Sequence, residues 1–168
     1  MATITLKGTP INTVGDLPAV GSTAPTFSLC AADLQDVGLA AYAGKKKILN
    51  IVPSLDTGIC AMSAVRFNKE VGALGDTVLI NISADLPFAA KRFCDAEKLT
   101  HVVSLSSFRS PSFGTDYGIT IVDGPLKGLL GRAVLVLDAR NVIKHAELVP
   151  EIVQEPNYES ALQAVTNA

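Results

Sequence analysis

The residue of this sequence best placed for chemistry is Cys60, which we expect at the start of a helix. A buried strand over residues 48–52 ends at Pro53, a short loop follows, and a helical pattern begins near Gly58. The first turn of a helix presents unpaired N–H groups and a partial positive charge, which favour a thiolate over a thiol. The hydroxyl of Thr57 could reach the sulfur or a bound oxygen, and Pro53 shapes the loop without adding a donor. The pattern indicates a nucleophilic cysteine, although a free cysteine in a helix is more often a buried, unreactive residue.

Cysteine count and composition limit the class of protein. Three cysteines among 168 residues leave at least one thiol outside any intrachain disulfide and are too few for a disulfide scaffold. Apolar residues make up 48% and charged residues 18%, which predicts one globular domain over residues 1–168 rather than a disordered chain. The net charge of −2 gives no sign of binding to nucleic acid or to an anionic membrane. Since we find neither a signal-peptide pattern nor an apolar run near the ~20 residues of a membrane span, we expect a cytoplasmic protein.

The elements around Cys60 follow an order typical of an α/β sandwich. We expect an N-terminal β-hairpin over residues 3–14 and helices over 58–74, 87–97 and 156–165. Strands are expected over residues 27–30, 48–52, 77–83, 101–105, 132–137 and 142–148, with a strand or turn over 37–42. Residues 106–117 are predicted to form an irregular, exposed connection. Right-handed crossovers then give a thioredoxin-like sandwich with a central mixed sheet and helices on both faces.

Residues 53–60 resemble the Pro-x-x-x-Thr-x-x-Cys motif of the peroxiredoxins. Within that superfamily the chain is similar to the bacterial thiol peroxidase group. Further matching segments are residues 50–58, 82–89, 92–94 and 123–129, in the same order along the chain. The resemblance therefore extends over nearly the whole sequence.

The resemblance implies a thioredoxin-dependent peroxidase that uses no metal, haem or flavin. It implies that Cys60 attacks hydrogen peroxide and alkyl hydroperoxides and becomes a sulfenic acid, with Pro53 and Thr57 in the pocket and Arg132 as the pocket arginine. Cys94, in the second helix, is then the resolving cysteine, which forms an intrachain disulfide with Cys60 that thioredoxin reduces. The resemblance also implies a homodimer built around the Cys60 loop and residues 106–117.

Physical chemistry adds expectations for the residues around these positions. Arg132 is always charged and could stabilise a thiolate, although a surface salt bridge would also explain it. Asp56 would oppose a neighbouring thiolate, so we expect it to point away or to pair with a basic group. Because a disulfide needs Cα atoms about 4.4–6.8 Å apart, two cysteines on separate helices predict local unwinding around Cys60, Cys94 or both. Cys30 matches no motif and is expected to be a small buried residue.

The approach to Cys60 is less determined by the sequence. Five apolar residues could line it or could equally belong to the core: Phe88, Phe108, Phe113, Tyr117 and Leu126. An apolar approach would suit the alkyl chain of an organic hydroperoxide.

Three other functions are compatible with parts of the sequence. A thioredoxin-like thiol–disulfide oxidoreductase would carry Cys-x-x-Cys, which Cys60-Ala61-Met62-Ser63 lacks. A redox-inactive binding module would need neither an activated cysteine nor an arginine opposite it. A Cys/His hydrolase would use His101 or His145 as the base. Neither histidine has metal-ligand spacing with the cysteines, so we expect no zinc site.

Overall fold

The computed structural model describes residues 1–168 and is built around a seven-stranded mixed sheet. The nine strands are β1 (Thr3–Leu6), β2 (Thr9–Asn12), β3 (Leu29–Ala31), β4 (Asp36–Val37), β5 (Lys46–Ile51), β6 (Thr77–Ser83), β7 (Val102–Ser106), β8 (Ala133–Leu137) and β9 (Ile143–Leu148). The helices are α1 (Gly58–Val71), α2 (Pro87–Ala96), α3 (Ser112–Asp116) and α4 (Tyr158–Thr166), with a 3₁₀ helix over Leu39–Tyr42. Strands β1 and β2 pair as a separate N-terminal hairpin, and the sheet order is β4-β3-β7-β6-β5-β8-β9. No helix is long and apolar enough to cross a membrane.

Strand direction brings the reactive segments to one edge of the sheet. Strands β5, β6 and β7 are parallel, so the loops after β5 and β6 leave from the same edge. Strand β8 runs antiparallel to β5 and pairs Ala133 with Ile51. Arg132, which immediately precedes β8, therefore lies beside the end of β5 and the loop that leads to Cys60.

The sheet separates two layers of apolar side chains. On one face, α1 and α4 pack on β5, β6 and β8 through Phe67, Val71, Tyr158, Ala161, Val165, Ile48, Leu79, Val134 and Val136. Helix α2 lies on the same side, because Cys94 contacts Ser104, which is two residues along β7 from Val102 of that layer. The short helix α3, the 3₁₀ helix and the intervening loops cover the opposite face. The expected thioredoxin-like sandwich with helices on both faces and an N-terminal hairpin is confirmed.

Two local predictions were wrong, one for residues 106–117 and one for the inward face of α1. In both cases burial depends on tertiary contacts that the neighbouring residues in the sequence do not reveal. Residues 106–117 contain α3, whose Phe113 is buried together with Tyr117 against the sheet. Their rings pack 4.6 Å apart, and the Tyr117 hydroxyl donates to the Pro25 carbonyl. In α1, the helical spacing of Val65, Val71 and Leu74 predicts that all three face the core, but Phe67 occupies the inward position and Val65 is exposed.

Candidate active site

Cys60 and Arg132 form the centre of the site. Cys60 lies in the first turn of α1, fully buried, and Arg132 is only 1% exposed. The Arg132 guanidinium donates a hydrogen bond from Nη2 to the Cys60 sulfur over 3.1 Å. The buried sulfur therefore has a cationic donor beside it and lies in the first turn of a helix, whose N–H groups carry a partial positive charge.

The guanidinium is oriented by the chain behind it. Arg132 Nε donates to the Ile152 carbonyl over 2.9 Å, and this hydrogen bond fixes the plane of the guanidinium group. The third nitrogen, Nη1, is buried and has no hydrogen-bond partner. One charged donor therefore remains available beside the sulfur, in a place where an unpaired donor is costly.

The loop before Cys60 contributes Pro53 and Thr57 to the lining of a cavity, to which Arg132 also contributes. Pro53 is buried two residues after the end of β5 and contributes no donor. Thr57 is the N-terminal cap residue of α1, but its hydroxyl donates to the Ser54 carbonyl over 3.1 Å rather than to the helix or to the sulfur. A hydroxyl has one proton and two lone pairs, so Thr57 can still accept a hydrogen bond from a bound molecule.

The cavity is apolar and opens beside Arg132 and Thr57, whereas Cys60 is fully buried and does not form part of its wall. Its volume is about 360 Å³, and Arg132, Thr57 and Gly58 reach its wall. The apolar part of the lining comes from Leu6, Pro53, Ile59, Met62, Leu126, Leu129, Ile152 and Val153. Of the five apolar residues that the sequence offered for this approach, only Leu126 is there. Phe113 and Tyr117 belong to the core, Phe88 is exposed, and Phe108 lines a different cavity.

Cys94 is half-buried near the end of α2, and its sulfur lies 3.2 Å from the Ser104 hydroxyl. Burial raises the pKa of the Cys94 thiol above its ordinary value, and the contact with Ser104 offsets this only in part. All three cysteines are free thiols. Cys60 and the Cys94 helix share a small apolar cluster, since Ala90 of α2 belongs to the same cluster as Cys60 and Phe93 of α2 packs against it.

The remaining residues considered from the sequence lie outside this group. Cys30 is fully buried in β3. Asp56 is exposed and faces Arg92 at 4.0 Å, as expected for an acid kept away from the sulfur. His101 packs on Gly72 at the far end of α1, and His145 lies in β9 near Glu147, so neither is placed to act as a base for Cys60. No three His, Cys, Asp or Glu side chains converge as metal ligands would.

Asp85 is the residue of this region that sequence reasoning missed. It follows β6, and its carboxylate accepts hydrogen bonds from the Ser54 hydroxyl and the Leu55 N–H, both 2.7 Å long. The sequence signals were its place within the matching segment 82–89 and its position just after a buried parallel strand, at the edge of the sheet where reactive loops lie.

Comparisons with known proteins point in one direction. A family model described as Redoxin matches residues 19–162. The thiol peroxidase of Mycobacterium tuberculosis is 54% identical over 165 residues, which are 98% of this chain and 99% of that protein. The crystal structure of a peroxiredoxin-like protein from Aquifex aeolicus is 35% identical, with a TM-score of 0.93 over 99% of this chain and 97% of that one. A thiol peroxidase from Chromobacterium violaceum, 22% identical, has the same fold, with a TM-score of 0.90 over 98% and 95% of the two chains.

Proposed function

Because the chain belongs to the Redoxin family and, within it, to the bacterial thiol peroxidase group of peroxiredoxins, we propose that Cys60 is the residue that reduces the peroxide. Thiol-dependent peroxidase activity follows from the membership itself. The assignment to Cys60 is supported by one observation above all. A buried guanidinium donates to the Cys60 sulfur over 3.1 Å and keeps a second donor free beside it.

In the first half-reaction the Cys60 thiolate attacks the terminal oxygen of the hydroperoxide. A sulfur–oxygen bond forms and the O–O bond breaks, so that sulfur is oxidised to sulfenic acid and the peroxide is reduced. The leaving oxygen departs as an alkoxide or hydroxide and takes a proton to become an alcohol or water. The Arg132 Nη1 donor can hold the negative charge that develops on these oxygens.

Thr57 has a complementary role. Since its proton is directed to the Ser54 carbonyl, its oxygen can accept the O–H of the hydroperoxide. The peroxide would thus donate to Thr57 and accept from Arg132. This pair of contacts distinguishes one oxygen from the other and directs the terminal oxygen toward sulfur.

The cavity supports organic hydroperoxides as substrates beside hydrogen peroxide. Its volume of about 360 Å³ exceeds what a single peroxide group needs, and its lining is mostly apolar. Each buried methylene of an alkyl chain gains about 0.8 kcal/mol of binding free energy. We therefore expect alkyl hydroperoxides to be the better substrates.

In the second half-reaction Cys94 attacks the sulfenic acid of Cys60 and expels water, which leaves an intrachain disulfide. Cys60 is fully buried in an apolar cluster that includes Ala90, so its sulfur cannot receive that attack without movement. Unwinding of the first turn of α1, the end of α2, or both would bring the Cα atoms to the roughly 4.4–6.8 Å that a disulfide requires. The disulfide would then be reduced by the dithiol of thioredoxin, and for this reason we propose a cytoplasmic location.

Peroxide consumption coupled to thioredoxin oxidation tests the assignment. We expect the wild-type protein to turn over cumene hydroperoxide and hydrogen peroxide, and Cys60→Ser to consume peroxide no faster than buffer. Cys94→Ser should give one equivalent of alcohol per site and then stop with thioredoxin as the only reductant. Cys30→Ser is the matched control and should retain the wild-type rate. Wild-type turnover by Cys60→Ser, or disulfide exchange with thioredoxin without peroxide consumption by the wild type, would overturn the proposal.

Mass spectrometry of the peroxide-treated protein tests the pairing and the movement together. We expect a single intrachain bond between Cys60 and Cys94, together with faster amide exchange over residues 58–61 and 90–97 than in the dithiol form. Only intermolecular dimers, or an intrachain bond with unchanged exchange in both segments, would contradict this mechanism.

A further inference from the structure

The Asp85 carboxylate gathers three hydrogen bonds at the edge of the sheet where both half-reactions take place. It accepts from the Ser54 hydroxyl and the Leu55 N–H, both at 2.7 Å, and from the Ser83 hydroxyl at 2.9 Å. Ser83 is the last residue of β6, whereas Ser54 and Leu55 belong to the loop before Cys60. A carboxylate from the β6–α2 connection therefore fastens the loop between β5 and α1.

Ser54 carries this attachment on to Thr57. The Ser54 hydroxyl that donates to Asp85 also accepts from the Asp56 N–H over 3.2 Å. The Ser54 carbonyl accepts the proton of the Thr57 hydroxyl. The direction in which Thr57 presents its lone pairs thus depends on Ser54, and the position of Ser54 depends on Asp85.

Leu55 carries the attachment to Cys60 itself. Leu55 is 3% exposed and packs in the same apolar cluster as Cys60, Val52 and Ala90. Its N–H is held by Asp85, so the cluster that encloses the sulfur is fixed by one polar contact at its rim.

Asp85 is also fixed to the start of the Cys94 helix. Only Leu86 separates it from Pro87, the first residue of α2. Its backbone carbonyl accepts from the Ser106 hydroxyl at the end of β7. One residue therefore joins the loop that carries the nucleophile to the helix that carries the resolving thiol.

We propose that Asp85 is a positioning residue that holds the Cys60 loop in its peroxide-reactive form and must release it before the disulfide closes. This role rests on the proposed function of Cys60 and Cys94. The two half-reactions need opposite states of the contacts between Asp85 and the Cys60 loop. Oxidation of Cys60 needs the hydrogen bonds of Asp85 intact, because Thr57 and Arg132 must both contact the peroxide at the cavity wall. Disulfide formation needs these hydrogen bonds broken, because the first turn of α1 and the Cys94 segment must approach each other.

Rapid-quench mass spectrometry can test this, because it counts thiol, sulfenic acid and disulfide forms at each time point. Asp85→Asn keeps the shape but replaces one acceptor oxygen with an NH₂ group that faces existing donors. We expect Cys60 oxidation to slow by about tenfold to a hundredfold, the range that misplacement of reacting groups produces. Conversion of sulfenic acid to disulfide should be unchanged or faster. Asp76→Asn, at the opposite end of β6 and exposed, is the matched control and should match the wild type in both steps.

A merely structural role for Asp85 would not change the ratio of the two rate constants. Ser54→Ala removes the same contact from the other side and should shift the ratio in the same direction, which keeps the test decisive if Asp85→Asn folds poorly. Parallel slowing of both steps, or a wild-type ratio in both variants, would overturn the role of Asp85. An active Cys60→Ser variant would instead overturn the proposed function, so the two failures are distinguishable.

Discussion

Arg132 is one of the largest fully buried side chains of the molecule, and it is a charged one. Burying a guanidinium costs several kcal/mol unless its donors are used. Two of its nitrogens donate to the Ile152 carbonyl and the Cys60 sulfur, while the third has no hydrogen-bond partner. The free donor is therefore a cost of the resting site that a bound peroxide oxygen would remove.

Replacing the guanidinium of Arg132 should slow the oxidation of Cys60 by peroxide. Arg132→Lys keeps the charge, but one ammonium cannot reach the Ile152 carbonyl, the sulfur and a peroxide oxygen in fixed directions. Loss of one hydrogen bond to a charged group costs about 1.5–3 kcal/mol, so we expect Cys60 oxidation to slow by about tenfold to a hundredfold. Stopped-flow mixing with cumene hydroperoxide measures this rate. Arg140→Lys, exposed in the β8–β9 turn, is the control, and equal rates in the two variants would contradict the role of Arg132.

The candidate site divides into residues that a sequence can reveal and residues that it cannot. Pro53, Thr57 and Cys60 lie within eight positions, so their shared loop was visible as a motif. Arg132 entered through the family resemblance, since nothing local marks it as buried. The place of Asp85 in the site was not predicted, because its partners Ser54 and Leu55 are about thirty positions away in the sequence. They come into contact with Asp85 only when β5 and β6 pair.

At the scale of the elements, local periodicity predicted strands and helices better than it predicted which faces they bury. Strand β6 was predicted at its observed bounds, because a run of β-branched and aliphatic residues buried on both faces has few alternatives. Residues 106–117 read as exposed because Gly114, Pro111 and several serines suggest a loop. The burial of Phe113 and Tyr117 depends on a sheet face that only the assembled fold provides.

The N-terminal hairpin forms part of the cavity through Glu151. The carboxylate accepts from the Thr5 hydroxyl and from the N–H groups of Lys7, Gly8 and Val153. These bonds tie the β1–β2 turn to the segment whose Ile152 carbonyl orients Arg132. The hairpin therefore supports the cavity wall, to which it contributes Leu6.

This attachment should depend on pH. The Thr5 hydroxyl, followed by the backbone donors, lowers the pKa of Glu151 from 4.5 to about 2. A carboxylate whose pKa is lower in the folded state stabilises the fold at pH values above its unfolded pKa, and that contribution is lost as the pH falls from about 4.5 toward 2. Urea denaturation should show that Glu151→Gln is less stable than the wild type at neutral pH and that this difference shrinks across the window. Exposed Glu97→Gln is the control, and a Glu151→Gln deficit that does not vary with pH would refute the prediction.

At the scale of the whole molecule, the surface next to the Cys60 loop is unusually apolar. Leu86, Phe88 and Phe108 are 52%, 67% and 45% exposed. The two chain segments that carry them are joined by the Ser106 hydroxyl, which donates to the Asp85 carbonyl and accepts from the Phe108 N–H. Exposed aromatic residues grouped in this way are typical of a protein interface. Within residues 106–117, Phe113 and Tyr117 are committed to the core, so Phe108 is the aromatic residue left for contact with a partner.

We propose that this patch forms the homodimer that the family resemblance implies, with one Phe88 contributed by each copy. Sedimentation velocity at micromolar concentration should show a dimer for the wild type. Phe88→Glu should shift it to monomer, because a charge at a desolvated contact costs more than most interfaces can sustain. Val20→Glu introduces the same charge at a residue that is 60% exposed in the N-terminal loop, and it should stay dimeric. A wild type that sediments as a monomer would contradict the homodimer, and a Phe88→Glu variant that stays dimeric would show that the interface lies elsewhere. In a dimer built on this patch, the β6–α2 connection of each copy would lie at the interface, so that release of the Cys94 helix and subunit contact would be coupled through the residues beside Asp85.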